Sequence, residues 1–417
     1  MTGEPPIPES APPAASSRAP LGRTVIALSI VSLLTDVSSE MIYPLLPLFL
    51  TASLGASAIA VGAIEGAAES VAALLKLASG WWSDRLARRK PLVVAGYALS
   101  SIARPLVALV TTVPQLLAVR LADRVGKGVR SSPRDALLAD AVPASERGRA
   151  FGVHRAADHL GAVIGPLVAF ALLGAADLEL RTVFLLAAIP AALAVAVLVL
   201  GVREPPAALR ASPATPATPA APATPAALGA ASALPSRFWG FVAAVLLFTL
   251  GNSSDAFLLL RARDLGIPIE DIPLLWALFH VVKVLSSVPA GSLSDRIGRR
   301  PLIVGGWTLY ALVYLGFGRA TSATHVWALF LAYGLYYGLT EGAEKALVAD
   351  LVPAHRRGAA FGWYNLAIGI GALPAALLFG VVWETAGAPA AFAMGAAAAA
   401  VAAALAWVVT PRGRLTA

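Results

Sequence analysis

Apolar residues occur along this chain in blocks of roughly 20, and short polar turns separate the blocks. Each block is long enough to cross a hydrocarbon core about 30 Å thick as a helix. Breaks at the charged and proline-rich turns give twelve such segments, which begin near Val25, Ala58, Leu92, Gln115, Ala150, Thr182, Phe238, Pro273, Leu302, His325, Ala359 and Pro389. The pattern therefore predicts an all-α polytopic membrane protein with twelve transmembrane helices.

Composition excludes a soluble protein. Of the 417 residues, 58% are hydrophobic and only 13% are charged, whereas a soluble globule carries about 25% charged residues. The net charge of +8 does not indicate a nucleic-acid-binding protein, because the basic residues fall in the turns and form no contiguous patch. Cysteine is absent, which excludes disulfides, thiolate metal sites and cysteine nucleophiles.

The basic residues indicate how the chain lies in the membrane. Every second turn is strongly basic, and these turns contain Arg85, Arg88, Arg89, Lys90, Arg147, Arg149, Arg296, Arg299, Arg300, Arg356, Arg357, Arg412 and Arg414. Cytoplasmic loops carry such an excess of lysine and arginine. We therefore expect a multi-pass protein of the cell membrane, most simply a bacterial inner membrane, with both termini in the cytoplasm.

The chain divides into two halves. Residues 204–236 contain the run ATPATPAAPATPAA, which has no apolar periodicity and predicts an extended cytoplasmic linker. It separates a six-helix half at 23–203 from a second at 237–410, and residues 1–22 and 411–417 are expected to be cytoplasmic tails, the first of them disordered. Twelve of seventeen positions match between ALLADAVPASERGRAFG, from Ala136, and ALVADLVPAHRRGAAFG, from Ala346. Two such halves form a parallel repeat, which places sites midway across the bilayer where the halves meet.

The turns after segments two and eight carry a second repeated motif. GWWSDRLARRK begins at Gly80 and GSLSDRIGRR begins at Gly291. Their pattern, G-x-x-x-D-R-x-G-R-R, resembles the signature loop of the major facilitator superfamily, and with the length, the twelve segments and the repeat this resemblance covers the whole chain. The first copy departs from the pattern at Ala87, where the family prefers glycine. The resemblance implies a transporter fold of twelve helices in two pseudo-symmetric halves.

The signature loops are expected to act as a latch between the halves. Asp84 ends its own segment, where the helix dipole disfavours an anion, so it should face the start of helix eleven. By pseudosymmetry Asp295 should face the start of helix five. The residues assigned to this latch are Gly80, Asp84, Arg85, Arg88, Gly291, Asp295, Arg296 and Arg299. The alternative is that their charges only set the topology.

Segment five carries a motif of small residues. Gly152, Gly161, Gly165 and Pro166 match the G-x(8)-G-x(3)-G-P pattern, which resembles the motif of drug and proton antiporters within the superfamily. Ala169 replaces a glycine of the usual closing pair. Physically, such glycines let another helix approach closely, and the proline frees a backbone carbonyl. The resemblance favours an exporter, and ordinary small-residue packing is the alternative.

Charged residues within the apolar segments are the candidate functional residues, because each costs about 2.5 to 3.5 kcal/mol at mid-membrane. Segment one carries Asp36 and Glu40 on one face, and segment two carries Glu65 and Glu69, with Lys76 nearby in angle. Segment four is the most polar, and Arg120, Asp123, Arg124, Lys127, Arg130 and Arg134 lie within one arc of it. Arg124, with Gly128 four residues later, resembles the functional helix-four arginine of the family, which occurs in the pattern R-x-x-x-G. Arg120 is the alternative for this role.

The repeat suggests which acids carry protons. VSSE in segment one corresponds to NSSD in segment seven, so Glu40 and Asp255 should face each other across the midplane. Asp36 and Glu40 have no cation in their own segment and are the expected proton carriers, with Arg124 or Arg120 as the modulating cation. For Lys76, Lys283 and Lys345 we expect ion pairs that fix helix packing.

These features predict a secondary active transporter that exports small, partly apolar compounds or drugs in exchange for protons. One alternative is transport of an organic anion or a phosphorylated compound by the helix-four arginines. A second is a membrane receptor or scaffold without transport. No phosphate-binding loop, nucleophile motif or zinc ligand set is present in the sequence, so neither an enzyme nor a cofactor or metal is expected. The expected partners are a small-molecule substrate, protons and lipid, with the protein a monomer.

Overall fold

The computed structural model describes residues 22–83, 86, 88–142, 147–204, 234–352 and 357–410. Within them the chain forms twelve long helical segments, one for each apolar block, which confirms the prediction. They are α1 Arg23–Ser53, α2 Ala58–Ser83, α3 Lys90–Leu109, α4 Val113–Asp140, α5 Arg147–Phe170, α6 Leu180–Gly201, α7 Ser236–Asp264, α8 Ile272–Ile297, α9 Arg299–Arg319, α10 Ala323–Asp350, α11 Arg357–Ala386 and α12 Ala388–Val409. Most of the linker and nearly all of both tails lie outside the described residues.

Ten of the described helices are long and apolar enough to cross a membrane. The other two are α4 and α10. Helix α4 carries charged residues on almost every turn, and α10 combines several tyrosines with acidic and basic residues toward its end. Charged side chains avoid lipid, so both helices turn their polar faces into the bundle.

The packing of the helices repeats between the halves. Helix α1 packs on α5 and α6, and α4 packs on α2 and α3. The second half repeats these contacts, with α7 on α11 and α12, and α10 on α8 and α9. Between the halves α2 packs against α11 and α5 packs against α8, so the interface has the same pseudo-twofold relation.

The ends of the helices define two faces of the bundle. The start of α1 lies beside the end of α6, where Thr24 Oγ1 donates to the carbonyl of Arg203 at 3.0 Å. The start of each half and the end of its last helix therefore lie on the same face of the bundle. This face is called here the terminal face. Near the other face Glu384 in α11 accepts a hydrogen bond from the backbone N–H of Ile59 at 2.7 Å, which joins the halves there.

Candidate functional site

Glu40, the second acid of the α1 pair, lies where the two halves meet. Glu40 Oε2 accepts a hydrogen bond of 2.8 Å from the indole Nε1 of Trp276 in α8. Asp36, one turn earlier, interacts electrostatically with Glu40 and with Lys127 of α4. The cations that act on Glu40 are Lys127, Arg124 and Arg104. A carboxylate of the first half is thus bonded directly to the second half.

The glycines of α5 hold α1 in this position. A Cβ added at Gly161 would lie 2.6 Å from the carbonyl oxygen of Leu33 and 2.9 Å from Asp36 Cβ. At Gly165 it would lie 2.9 Å from Glu40 Cβ. These distances are too short for any side chain, so only glycine permits this approach. Helix α5 runs through Pro166 without ending, and the motif therefore packs directly behind the acid pair.

Arg120 and Glu65 form a closed ion pair between α4 and α2. The guanidinium donates from Nη2 to Oε1 at 2.9 Å and to Oε2 at 2.8 Å, and from Nε to Oε1 at 3.1 Å. Both residues are 7% exposed. This geometry satisfies both carboxylate oxygens, as expected of a buried pair. Arg120 is therefore committed to Glu65, whereas Arg124, the other candidate, has no such pair among the described residues.

A third arginine completes the cluster, and the sequence reasoning missed it. Arg104 of α3 donates from Nε to Asp123 Oδ1 at 3.2 Å and from Nη1 to the carbonyl of Thr35 at 2.9 Å. Asp123 thereby links α3 to α4, and Arg104 reaches α1 just before Asp36. Arg104 is a single arginine in an otherwise apolar stretch of its segment. Because a buried charge is costly, its presence there predicts a polar partner on another helix.

Arg124, Lys127 and Glu69 form the less constrained part of the cluster. The Nε of Arg124 is buried and lacks a hydrogen-bond partner among the described residues. Glu69 interacts electrostatically with Lys127 and Arg124. A small cavity lies at the paired part of the cluster, and it is lined by Ser39, Ile42, Tyr43, Arg104, Val107, Val119, Arg120 and Asp123. Across the described ranges no three His, Asp or Glu side chains are grouped as metal ligands would be.

Helix α7 breaks at the counterpart of the α1 acids. Its first part ends at Gly251 and its second begins at Asp255, with Ser254 accepting from the N–H of Ala256 as the cap. Asp255 Oδ1 accepts a hydrogen bond of 2.6 Å from the hydroxyl of Tyr333 in α10. Asp255 also interacts electrostatically with Glu40. Glu40 and Asp255 thus influence each other, although each has its own hydrogen-bond partner. The break in α7 was not predicted, because α1 stays helical through VSSE, the repeat counterpart of NSSD.

Aromatic side chains form the facing wall in the second half. Trp276 lies 5.5 Å from Tyr43 and 4.9 Å from Phe279 between ring centroids. Lys283 Nζ lies 4.6 Å from the ring centroid of Tyr337. Lys283 also pairs with Glu341 at 3.3 Å, as the sequence predicted for this lysine. Trp276 of the second half therefore contacts both a ring, Tyr43, and a carboxylate, Glu40, of the first half.

The latch assigned to the signature loops falls largely outside the described residues. Asp84 and Arg85 are not described, nor is the side chain of Asp295, so the latch stays a prediction. Arg88 is exposed. Gly298 has a φ of 95°, which explains why the family prefers glycine at this position of the motif, where the first copy has Ala87. Arg299 donates to Asp350 Oδ2 at 3.2 Å at the end of α10.

The equivalent contact recurs in the first half. Arg89 pairs with Asp140 Oδ2 at 2.7 Å, at the end of α4. Asp140 and Asp350 are the aspartates of the ALLAD and ALVAD repeats. In each half a loop arginine therefore binds the end of the most polar helix.

Comparison with known proteins places this arrangement in a family. The model of the Major Facilitator Superfamily matches residues 28–260 and 254–416. The chain belongs to this superfamily. It is 32% identical over 370 residues to an uncharacterized MFS-type transporter of Methanocaldococcus jannaschii, a match that covers 87% of this chain and 89% of that protein.

Solved structures of transporters share the same fold. The nucleoside transporter NupG is similar with a TM-score of 0.77 at 14% identity, covering 93% of this chain and 99% of that one. The D-xylose–proton symporter is similar with a TM-score of 0.73 at 18% identity, covering 94% and 98%. This superfamily chain is thus a multi-pass membrane transporter, not an enzyme, and it binds a small-molecule substrate.

Proposed function

We propose that the protein exports small, partly apolar compounds in exchange for protons by alternating access. The observation that carries the proposal is the place of Asp36 and Glu40. Glu40 lies at the contact between the halves, Asp36 lies one turn earlier and interacts electrostatically with Lys127, and neither is in an ion pair with another described residue. Acids that are not neutralised by a fixed cation are available to take up a proton.

Glu40 connects proton binding to the contact between the halves. Its ionised carboxylate accepts the indole N–H of Trp276 and so holds α8 against α1. A hydrogen bond to a charged acceptor contributes about 1.5 to 3 kcal/mol. A proton on Oε2 weakens this bond, and two conformations a few kcal/mol apart are repopulated by a change of that size.

The remaining polar residues take supporting roles in this mechanism. Lys127, Arg124 and Arg104 are the cations that influence Glu40, while Arg120 holds Glu65 and Arg104 also holds Asp123. The groups assigned to proton coupling and the substrate cavity remain Asp36, Glu40, Glu65, Glu69, Arg120, Asp123, Arg124 and Asp255. Tyr43 lines the cavity, and its ring lies 5.5 Å from that of Trp276 between centroids.

Export is favoured by the motif of α5, and orientation by the basic turns. Gly152, Gly161, Gly165 and Pro166 match the antiporter-type pattern, and two of them pack behind the acid pair. The terminal face is assigned to the cytoplasm of a bacterial inner membrane by the positive-inside rule. The transporter acts as a monomer.

A second candidate substrate is an organic anion. The buried Nε of Arg124 has no hydrogen-bond partner among the described residues, and a guanidinium suits a carboxylate or phosphate. The adjacent carboxylates of Glu69 and Asp123 offset this charge, so the anion stands second.

Proteoliposomes separate the two candidates. Purified protein is reconstituted with a pH-sensitive dye inside, and ethidium, benzyl alcohol or benzoate is added under an imposed pH gradient. We expect the gradient to drive ethidium movement in the wild type and not in Asp36→Asn or Glu40→Gln. Asp264→Asn, an exposed acid at the end of α7, is the matched control. Intact gradient-driven transport in both α1 variants would refute the coupling, and movement of benzoate alone would favour the anion.

A further inference from the structure

The second half contains a buried carboxylate that the mechanism above does not use. Glu344 of α10 is 9% exposed. Its Oε1 accepts a hydrogen bond of 2.8 Å from the indole Nε1 of Trp307 in α9, and its Oε2 accepts one of 2.7 Å from the hydroxyl of Tyr364 in α11. Both donors are neutral, so the carboxylate is solvated by hydrogen bonds and not by a fixed cation.

The nearby charges are committed to a different acid. Lys345 Nζ lies 3.0 Å from Glu341 Oε1, and Lys283 of α8 lies 3.3 Å from Glu341 Oε2. The groups that act electrostatically on Glu344 are Trp307 and Tyr364 from the packed helices, and Glu341 and Lys345 from its own helix; Tyr336 on α10 also interacts with it. Glu341 thus takes both lysines, and Glu344 is left with hydroxyl and indole partners.

The position of Glu344 has a counterpart in the first half whose charge is paired. Alignment of ALLAD with ALVAD matches Glu344 with Arg134 and Lys345 with Asp135. In the first half the pair is closed, because Arg134 Nη2 lies 2.8 Å from Asp135 Oδ1. In the second half the charges are reversed, but Lys345 turns toward Glu341 instead. The same position is therefore a neutralised cation in one half and a carboxylate without a described ion pair in the other.

The two hydrogen-bond partners can serve both protonation states of Glu344. An indole N–H only donates, so Oε1 accepts from Trp307 in either state. A tyrosine hydroxyl both donates and accepts, so after a proton binds Oε2 the hydroxyl of Tyr364 can rotate and accept a hydrogen bond from the new O–H group.

We propose that Glu344 is a reversible proton-binding site of the C-terminal half, separate from the acid pair of α1. One proton from water adds to Oε2 to form the carboxylic acid, and its release restores the carboxylate. The proposal adds a second proton site to the proposed coupling, and its test reads the carboxyl group itself, so failure of either one is visible without the other.

Infrared difference spectroscopy on the reconstituted full-length protein, moved between acidic and alkaline buffer, tests the assignment. A protonated carboxyl group shows a carbonyl stretch that its carboxylate lacks. We expect one such pH-dependent band to be lost in Glu344→Gln and retained in Glu341→Gln, the matched control one turn away. Tyr364→Phe should shift the frequency of the same band, because the acid loses its hydroxyl partner.

Each outcome decides the proposal. A pH-difference spectrum of Glu344→Gln that superimposes on the wild type, in protein with an unchanged melting temperature, would overturn it. If Glu344→Gln does not fold, Tyr364→Phe decides: an unshifted set of carboxyl bands rejects the site, and a shifted band supports it. Loss of the band in Glu341→Gln and not in Glu344→Gln would assign the proton to the ion-paired acid instead.

Discussion

The close packing of α5 on α1 gives the most direct prediction, because alanine at Gly161 or Gly165 adds one methyl group at a measured place. The new Cβ at Gly161 would lie 2.6 Å from the carbonyl oxygen of Leu33, whereas ordinary contact begins at 3.4 Å. Helix α1 must therefore retreat by about 0.8 Å at this turn. At Gly165 the nearest atom, the carbonyl oxygen of Val37, is also 2.6 Å away, so the shift is similar.

Two consequences of known size follow from that shift. Overpacking a well-packed interior costs about 1 to 3 kcal/mol, which should lower the melting temperature by a few degrees. The retreat also displaces Asp36 and Glu40 relative to Lys127 and Trp276, and a misplacement of about 1 Å can reduce the rate of a reaction between positioned groups about 100-fold. We expect gradient-driven transport to fall far more than stability does.

The control is a helical glycine with open space around it. Alanine at Gly305 in α9 meets no atom within 4 Å and should stabilise the protein by about 0.5 to 1 kcal/mol through helix propensity. Melting temperature and transport of the compound moved in proteoliposomes are measured for all three variants. Wild-type values for both Gly161→Ala and Gly165→Ala would show that the two glycines do not position the acid pair, and the argument from their contacts would be wrong.

Three further changes test other contacts. Arg120→Leu leaves Glu65 buried and unpaired and should destabilise the protein by about 3 to 5 kcal/mol, with much of the loss recovered when Glu65 is also changed to Leu; equal melting temperatures of single and double variants would argue against the pair. Trp276→Phe keeps an aromatic ring but removes the N–H bonded to α1. A cysteine placed at Ala58, in this naturally cysteine-free chain, should then be labelled faster, because the halves separate at the face opposite the terminal face. An unchanged labelling rate would contradict the role of Trp276 in holding the halves together. Asp84→Asn should shift the population toward the inward-open form if the signature loop is a latch, and unchanged labelling at the terminal face would leave its charges with a topological role alone.

The helices were predictable because the membrane imposes a simple rule on the chain. A spanning segment must satisfy all its backbone groups internally and present apolar side chains to lipid, so hydropathy alone locates it. The polar helices α4 and α10 were placed instead by the charged and proline-rich turns on either side of them. Repeated motifs such as ALLAD and ALVAD then revealed the two halves before any contact was known.

The partners of the charged residues were not predictable in the same way. The sequence favoured Arg124 and left Arg120 open, and only the packing of α2 against α4 commits Arg120 to Glu65. Arg104 was overlooked because its partner Asp123 lies on the next helix and not on its own. Similarly, Glu40 and Asp255 occupy equivalent repeat positions, yet one bonds an indole across the interface and the other a tyrosine within its own half.

The number of helices, their division into halves and the charged residues that are too costly to bury without polar partners were therefore predictable from the sequence. These follow from local properties: hydropathy, charge and the period of the helix. Tertiary structure alone decided that Lys345 turns to Glu341 and leaves Glu344 to Trp307 and Tyr364. The physical reason is that the energy of a buried charge depends on which groups lie within about 4 Å of it, and those groups come from helices far apart in the chain.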